Sequence, residues 1–328
     1  MNEFWKDEPE IASELETVGS LIRETIDRSH HFVRQLLAAQ IQTSGKLLRP
    51  ALVLIGSRLG NPEKHEDALR IASVLEMIHL ASLVHDDIID NATMRRGVST
   101  LNAKVGAKQA VLAGDYLLSR AMALVSGKEG DLEASAVSNA FSRLCQSEIE
   151  QDAGLGDYAI SISTYLRRIA GKTASLFALS AYAGAAITEA PRTTQYTMHR
   201  IGYCMGMAFQ IQDDMLDYEG DRQSLGKEPG KDLLCGVPTL PLLEALDIER
   251  SLPPEDQLLH QLTSLPRISK RQAARGVDQV IAVGGLEKSK QLAQSYMDRA
   301  FNDIKSLNDE LVERQLMGVF KKLTTRSR

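Results

Sequence analysis

The sequence predicts an all-α fold, and three observations carry that expectation. Apolar residues recur at helical spacing, as in Ile11, Leu15, Val18, Ile22 and Ile26, a pattern that lines one face of a helix. Runs that alternate apolar and polar residues, as a half-buried strand requires, are essentially missing. Gly, Pro and Asn clusters punctuate the periodic segments, and none reads as a flexible linker between domains. With 328 residues, 43% hydrophobic and only 5% aromatic, the chain can build a large aliphatic core. Length alone allows one domain or two. Without a linker, we expect residues 1–328 to form a single large helical bundle.

The elements follow in chain order. The stripe from Ile11 to Ile26 predicts the first helix, and Gly45-Lys46-Leu47-Leu48-Arg49-Pro50 opens an apolar segment that stops at Gly60-Asn61-Pro62. Ile71 to Val84, IASVLEMIHLASLV, is nearly all apolar, as a helix buried on every side should be. Breaks fall at Asn91 to Gly106 and at Lys128-Glu129-Gly130, and Gly202 to Gln212, GYCMGMAFQIQ, predicts a second buried helix. Tyr218 to Pro238 is a long connection rich in Gly, Lys and Asp, the kind of loop that serves as a lid; Lys227, Lys231 and Asp232 would move with it. After Pro253-Pro254, the residues Val277, Ile281, Leu286 and Leu292 predict helices interrupted at Gly284-Gly285.

Each buried helix runs into an acidic motif, Asp86-Asp87-Ile88-Ile89-Asp90 and Asp213-Asp214-Met215-Leu216-Asp217. Spacing of i, i+4 puts Asp86 with Asp90, and Asp213 with Asp217, on one helix face, where like charges repel. A solvated acidic face would explain one such motif. Two, each at the exit from a buried run, call for a cation, because carboxylates are costly there without one. A few hard oxygen ligands supplemented by phosphate oxygens suit Mg2+ holding a phosphorylated substrate. Lys46, Arg49, Arg95, Arg96, Lys172 and Lys227 could neutralise two diphosphates, arginine by bidentate forks and lysine as a point charge.

These motifs, taken in order, resemble the all-trans isoprenyl diphosphate synthases, the polyprenyl synthetase family. The resemblance rests on GKLLRP (Gly45 to Pro50), HLASLVHDDIID (His79 to Asp90), RRG (Arg95 to Gly97), GDYLLSRA (Gly114 to Ala121), GKTASLF (Gly171 to Phe177), FQIQDDMLD (Phe209 to Asp217), and LGKEPGKDL with TLPLL between Leu225 and Leu243. One departure is Gln146-Ser147-Glu148, where the family often carries glycine in the middle. The C-terminal LMGVFKKLTTRSR matches no pattern, so Lys321, Lys322, Arg326 and Arg328 receive no role.

The resemblance implies a bundle of the isoprenoid synthase type with a central active-site cavity. It also implies a prenyltransferase that ionises an allylic diphosphate and joins the cation to isopentenyl diphosphate. The implied metal set is Asp86, Asp90, Asp213 and Asp217, with Asp217, like Asp87 and Asp214, acting through water or by supporting the others. About three Mg2+ ions would be held with substrate bound. Arg95, Lys172 and Lys227 would stabilise the leaving diphosphate, and Gly45, Lys46, Arg49, His79 and Arg96 would hold isopentenyl diphosphate. Taken alone, His79 reads as a core histidine more readily than as a ligand; the family match reverses that preference. Thr173, Gln210 and the carbonyls around Lys172 would face the carbocation, and Phe209 could add a π-face. No protein base is required, because the departing diphosphate can accept the proton. Short-chain relatives often carry an aromatic residue five positions before the first aspartate; here Ala81 and Ser82 leave that path open. The implied product is medium or long, roughly six to eight isoprene units, only its direction following from side-chain volume.

Two further readings compete within the enzyme class. A short-chain farnesyl or geranylgeranyl diphosphate synthase would share every motif, whereas a cyclase or squalene-type synthase would not need GKLLRP and RRG, having no second diphosphate to hold. A partner subunit of a heterodimeric synthase would not need both acidic motifs intact. The resemblance favours a homodimer. Net charge is −5, from 38 basic and 43 acidic residues, which argues against general attraction to nucleic acid or anionic membrane. Cys145, Cys204 and Cys235 lack paired spacing and read as buried thiols in a reducing compartment. MNEFWKDEPE has no signal-peptide pattern and no uninterrupted apolar stretch is long enough to cross a bilayer, so the expected location is cytoplasmic.

Overall fold

The computed structural model describes residues 3–42, 45–95, 97–125, 131–219 and 230–324. The N-terminal stripe forms α1 (Pro9–Asp27), with Ile11, Leu15, Val18, Ile22 and Ile26 all buried. Then come α2 (His31–Gln42), α3 (Leu48–Ser57), α4 (His65–Ile89), α5 (Leu101–Val105), α6 (Ala107–Val125), α7 (Asp131–Ala153) and α8 (Ile162–Ile169). They are followed by α9 (Ser175–Ile187), α10 (Arg192–Glu219), α11 (Lys231–Cys235), α12 (Leu240–Glu249), α13 (Leu258–Thr263), α14 (Lys270–Ala282), α15 (Gly285–Lys305) and α16 (Glu310–Thr324). Among the described residues, the sheet content is one antiparallel hairpin, β1 (Met94–Arg95) with β2 (Val98–Ser99). The fold is all-α, as the periodicity requires.

The chain divides into two compact units, one of Met1–Phe141, Leu179–His199 and Ile304–Val319, the other of Ser142–Ala178, Arg200–Asp303 and Phe320–Arg328. The boundaries fall inside helices rather than at linkers.

The first unit is built around α4, which packs against α1, α3 and α6. Ile71, Val74, Leu75, Met77, Ile78, Leu80, Ala81 and Val84 are buried, so the helix is apolar all round because it is enclosed all round. By length and composition, residues Pro62–Ile89 could cross a membrane, but 72% of the apolar window is buried within the protein. The core position of α4 demands much the same composition as a bilayer. Trp5 is buried, and its indole N–H donates to the carbonyl of Lys46 at 2.6 Å, tying the N-terminus to the GKLLRP segment.

In the second unit, α12 contacts α8, α13 and α14. Glu249, fully buried at the end of α12, accepts the backbone N–H groups of Leu259 and His260 at the start of α13 and the amide of Gln279 on α14. A buried carboxylate is tolerable because helix-start donors and an amide satisfy it. Ser269 opens α14 with a capping box to Gln272. The cysteines depart from expectation. Cys204 is buried, Cys145 is half-buried and Cys235 is exposed, because Cys235 ends a five-residue helix beside Gly236.

Candidate active site

In the first unit the acidic motif occupies the last turn of α4, with Asp90 as the C-cap. Asn91 adopts a left-handed backbone, φ 49°, and its N–H and that of Ala92 return to the carbonyls of Ile88 and Asp87, a Schellman closure. Carboxylates are at the wrong end of a helix here. The C-terminal turn carries partial negative charge, so each placement costs about 0.3–1 kcal/mol unless a cation compensates. Asp86 is half-buried and Asp90 exposed, whereas Asp87 is 2% exposed. Arg95 Nε–H donates to Asp87 Oδ1 at 2.7 Å.

Arg95 lies on β1, opposite Val98, and Gly97 makes the turn between the strands with φ 79°, a left-handed conformation that explains the glycine of RRG. Thr100 holds the hairpin's base: its hydroxyl donates to Ala92 O at 2.7 Å and caps α5 by accepting from Ala103 N. Arg96 lies outside the described residues.

Also in this unit, Gly45 and Lys46 precede Leu47, a branched residue at φ 51° that N-caps α3. Such a backbone is strained, and strain of this kind concentrates at functional segments. Lys46 Nζ stands 4.6 Å above the Phe4 ring. Arg49 is half-buried on the first turn of α3. His79 and Ser82 follow the helix face of Asp86: at 3.6 residues per turn, Ser82 is roughly 40° from Asp86 and Ala81 roughly 140°. Ala81 is fully enclosed and Ser82 nearly so, its hydroxyl donating to His79 O.

The second unit holds the other motif, again in the closing turns of a long helix, α10. Asp213 is exposed. Asp214 accepts the Tyr165 hydroxyl at 2.6 Å and the Gln210 amide N–H at 2.9 Å, and Gln210 Oε1 accepts from Thr173 at 2.7 Å. These bonds fix which end of the Gln210 amide faces which neighbour. Both oxygens of Asp217 accept backbone N–H groups at the start of α11, from Lys231 and Asp232. Burial raises the Asp214 carboxyl to about 6, against the Tyr165 and Gln210 bonds, with repulsion from Asp213 adding to the rise. Burial, reinforced by Asp217 and Asp214, raises Asp232 to about 7. Both carboxyls are raised chiefly because they are buried, with neighbouring carboxylates adding to the rise.

Lys172 and Thr173 lie in a single π-helical turn, Ala170–Ala174, a distortion common at functional sites. Lys172 Nζ pairs with both oxygens of Glu148, at 2.9 and 3.0 Å. Phe209, half-buried, stacks on the buried Phe177 at 5.6 Å. Lys227 lies outside the described residues. Sequence alone does not point to Glu148 or Tyr165 as site residues: Glu148 follows Ser147 at the departure from the family pattern, and Tyr165 lies in no motif.

Among the described residues, no three His, Cys, Asp or Glu side chains converge on a point where they alone could hold a metal. In each unit the candidate donors are nonetheless hard oxygens: Asp86 and Asp90 present accessible carboxylates in the first, and Asp213 does in the second. Carboxylates of this kind suit a divalent cation that keeps water and takes phosphate oxygens as further ligands.

The polyprenyl synthetase family matches residues 30–279. The chain is 35% identical over 289 residues to heptaprenyl diphosphate synthase component 2 of Geobacillus stearothermophilus, covering 86% of this chain and 85% of that one. It is 30% identical to the octaprenyl diphosphate synthase of Escherichia coli, over 94% of each chain. Its structure is similar to a geranylgeranyl pyrophosphate synthase of Lactobacillus brevis, with TM-score 0.87, 30% identity and 99% of each chain covered. A polyprenyl synthase of Caulobacter crescentus, complexed with calcium and isoprenyl diphosphate, aligns with TM-score 0.86 and 29% identity over 97% of this chain and 96% of that one. The chain thus belongs to the polyprenyl synthetase family and is a prenyltransferase of the trans-polyprenyl diphosphate synthase kind.

Proposed function

We propose that the chain, as one polyprenyl synthetase domain over residues 1–328, condenses an allylic diphosphate with isopentenyl diphosphate in a Mg2+-dependent reaction that yields a medium- or long-chain all-trans polyprenyl diphosphate. The observation that carries this reading is the placement of both acidic motifs in the C-terminal turns of long helices, where uncompensated carboxylates are unfavourable. The calcium named in the Caulobacter complex supports a divalent cation. Asp86, Asp90 and Asp213 would hold Mg2+, with Asp217, committed to α11, contributing through water. When bound, Mg2+ neutralises charge that develops on the leaving diphosphate.

The chain's own residues supply the rest. Arg95 and Lys172 bind the allylic diphosphate and stabilise it as its charge grows. Glu148 keeps the Lys172 ammonium in place. Lys46, Arg49 and Arg96, with the Gly45 backbone and His79, hold isopentenyl diphosphate without ionising it. Gln210, fixed between Thr173 and Asp214, presents an amide dipole that stabilises a cation without attacking it. Incubation with farnesyl diphosphate, labelled isopentenyl diphosphate and Mg2+, followed by product chromatography, tests the proposal; no chain extension would end it.

The two-pocket reading predicts that Lys46→Ala and Arg96→Ala raise KM for isopentenyl diphosphate more than for the allylic substrate, while Arg95→Ala does the reverse or lowers turnover. Steady-state kinetics decides: equal effects on both substrates in all three variants would contradict it.

Product length is proposed as medium to long, supported by the names of the relatives and by the small Ala81-Ser82 pair. Because Ser82 lies nearer the Asp86 face, Ser82→Phe should shorten the product while sparing the first condensation. Ala81→Phe should shorten it too, with a fall in Tm, since its site is fully enclosed. An unchanged product distribution in both variants, read by chromatography, would remove the pair from this role.

A homodimer is proposed as the active species, with cytoplasmic location supported by three cysteines that form no disulfide among the described residues. The heptaprenyl relative is called component 2, which supports a second reading, the catalytic member of a heterodimer. Sedimentation of the purified chain beside the activity assay separates these readings.

A further inference from the structure

We infer that Asp87 is a positioning residue, which orients the Arg95 guanidinium for the ionising diphosphate and does not itself ligate metal. This rests on the proposed contact between Arg95 and the allylic diphosphate. Within the motif the carboxylates differ: Asp90 is exposed and Asp86 half-buried, but Asp87 is 2% exposed.

The geometry of the pair assigns the work. Asp87 Oδ1 accepts the inner N–H of Arg95, on Nε, at 2.7 Å. A bond to Nε fixes the rotation of the guanidinium plane yet leaves the outer pair of amino groups, the fork that matches two phosphate oxygens. Among the described residues those outer groups form no ion pair, and the Arg95 side chain is 35% exposed.

The same aspartate also anchors the backbone that carries Arg95. Asp87 O accepts from Ala92 N at 2.9 Å, Ala92 O accepts from the Thr100 hydroxyl, and Thr100 N donates to Thr93 O. Side chain and main chain of one residue thus set both the position of the hairpin and the orientation of its arginine. A carboxylate 2% exposed has almost no surface to offer a hydrated metal, and turning it outward would strain the bond to its arginine.

The test uses the full chain and farnesyl diphosphate as the allylic probe. Asp87→Ala and Arg95→Ala should each lower kcat/KM for the probe by roughly 10–100-fold, and the double variant should fall no further than Arg95→Ala alone. Asp87→Asn keeps an oxygen that accepts the Nε–H, so it should stay within about tenfold of the parent, with an unchanged Mg2+ concentration for half-maximal turnover. Asp86→Asn should not be rescued in this way. If Asp87→Ala fails to fold, the Asn comparison and the Mg2+ profile decide. Multiplying losses in the double variant, or Asp87→Asn as inactive as Asp86→Asn, would overturn the inference while leaving Arg95 a diphosphate contact. Arg95→Ala with no loss toward farnesyl diphosphate would instead overturn the reading beneath it.

Discussion

Asp86→Ala and Asp213→Ala should each abolish measurable chain extension while the protein stays folded. Removing one strong stabiliser of developing charge from an active site typically costs about 10²–10³-fold in turnover, and a lost metal ligand also weakens the binding of what it holds. Stability should move the other way. Each aspartate lies in the closing turns of a long helix, so its removal relieves an unfavourable placement of about 0.3–1 kcal/mol. For Asp213 the relief is larger in kind, because its charge also opposes ionisation of Asp214 and Asp232. Labelled isopentenyl diphosphate reports turnover, and the fluorescence of Trp5, the sole tryptophan and buried, follows unfolding. Near-parental turnover at saturating Mg2+ in either variant would sink the metal reading. A melting temperature well below the parent would show instead that the carboxylate supports the fold.

Much of this is legible in the sequence. The α1 stripe and the enclosed α4 follow from periodicity and composition, since burial on one face or on all faces leaves different patterns in the sequence. The acidic motifs were legible for a related reason, because i, i+4 spacing makes a shared face a local property. What escaped depends on tertiary approach. Nothing within a few residues of Lys172 announces that Glu148 clamps it, or that Tyr165 reaches Asp214. Asp217 looks like its neighbours in sequence, but it caps α11, a helix that begins beyond the long connection. Likewise Ala81 and Ser82 are adjacent in sequence yet differ in how near they lie to the Asp86 face, by about 100° around α4. Arg96 and Lys227 keep their roles as expectations from the motifs.

Gly171→Ala should lower both stability and turnover, and Ser147→Gly should restore them in the double variant. The π turn that carries Lys172 lies so close to α7 that a Cβ on Gly171 would stand 1.8 Å from Ser147 Oγ and 3.0 Å from Ser147 Cβ. No rotamer adjustment absorbs both contacts, so the turn or the helix must shift; overpacking of this kind costs about 1–3 kcal/mol. The shift acts directly on the chemistry, because Lys172 follows Gly171 and its partner Glu148 follows Ser147. Removing the Ser147 side chain leaves the new methyl facing chiefly the Arg143 carbonyl at 3.2 Å, tight but reachable by small movements. Ser147→Gly alone should cost only about 0.5–1 kcal/mol, the penalty of glycine in a helix interior. Ser147 is where the resemblance leads one to expect glycine, so the tight fit arises from this chain's own departure, with Gly171 accommodating it. Thermal melts and turnover of the three variants give the answer. A Gly171→Ala protein as stable and active as the parent would show that the approach is looser than 1.8 Å implies, and a double variant no better than Gly171→Ala would move the conflict from Ser147 to the Arg143 carbonyl.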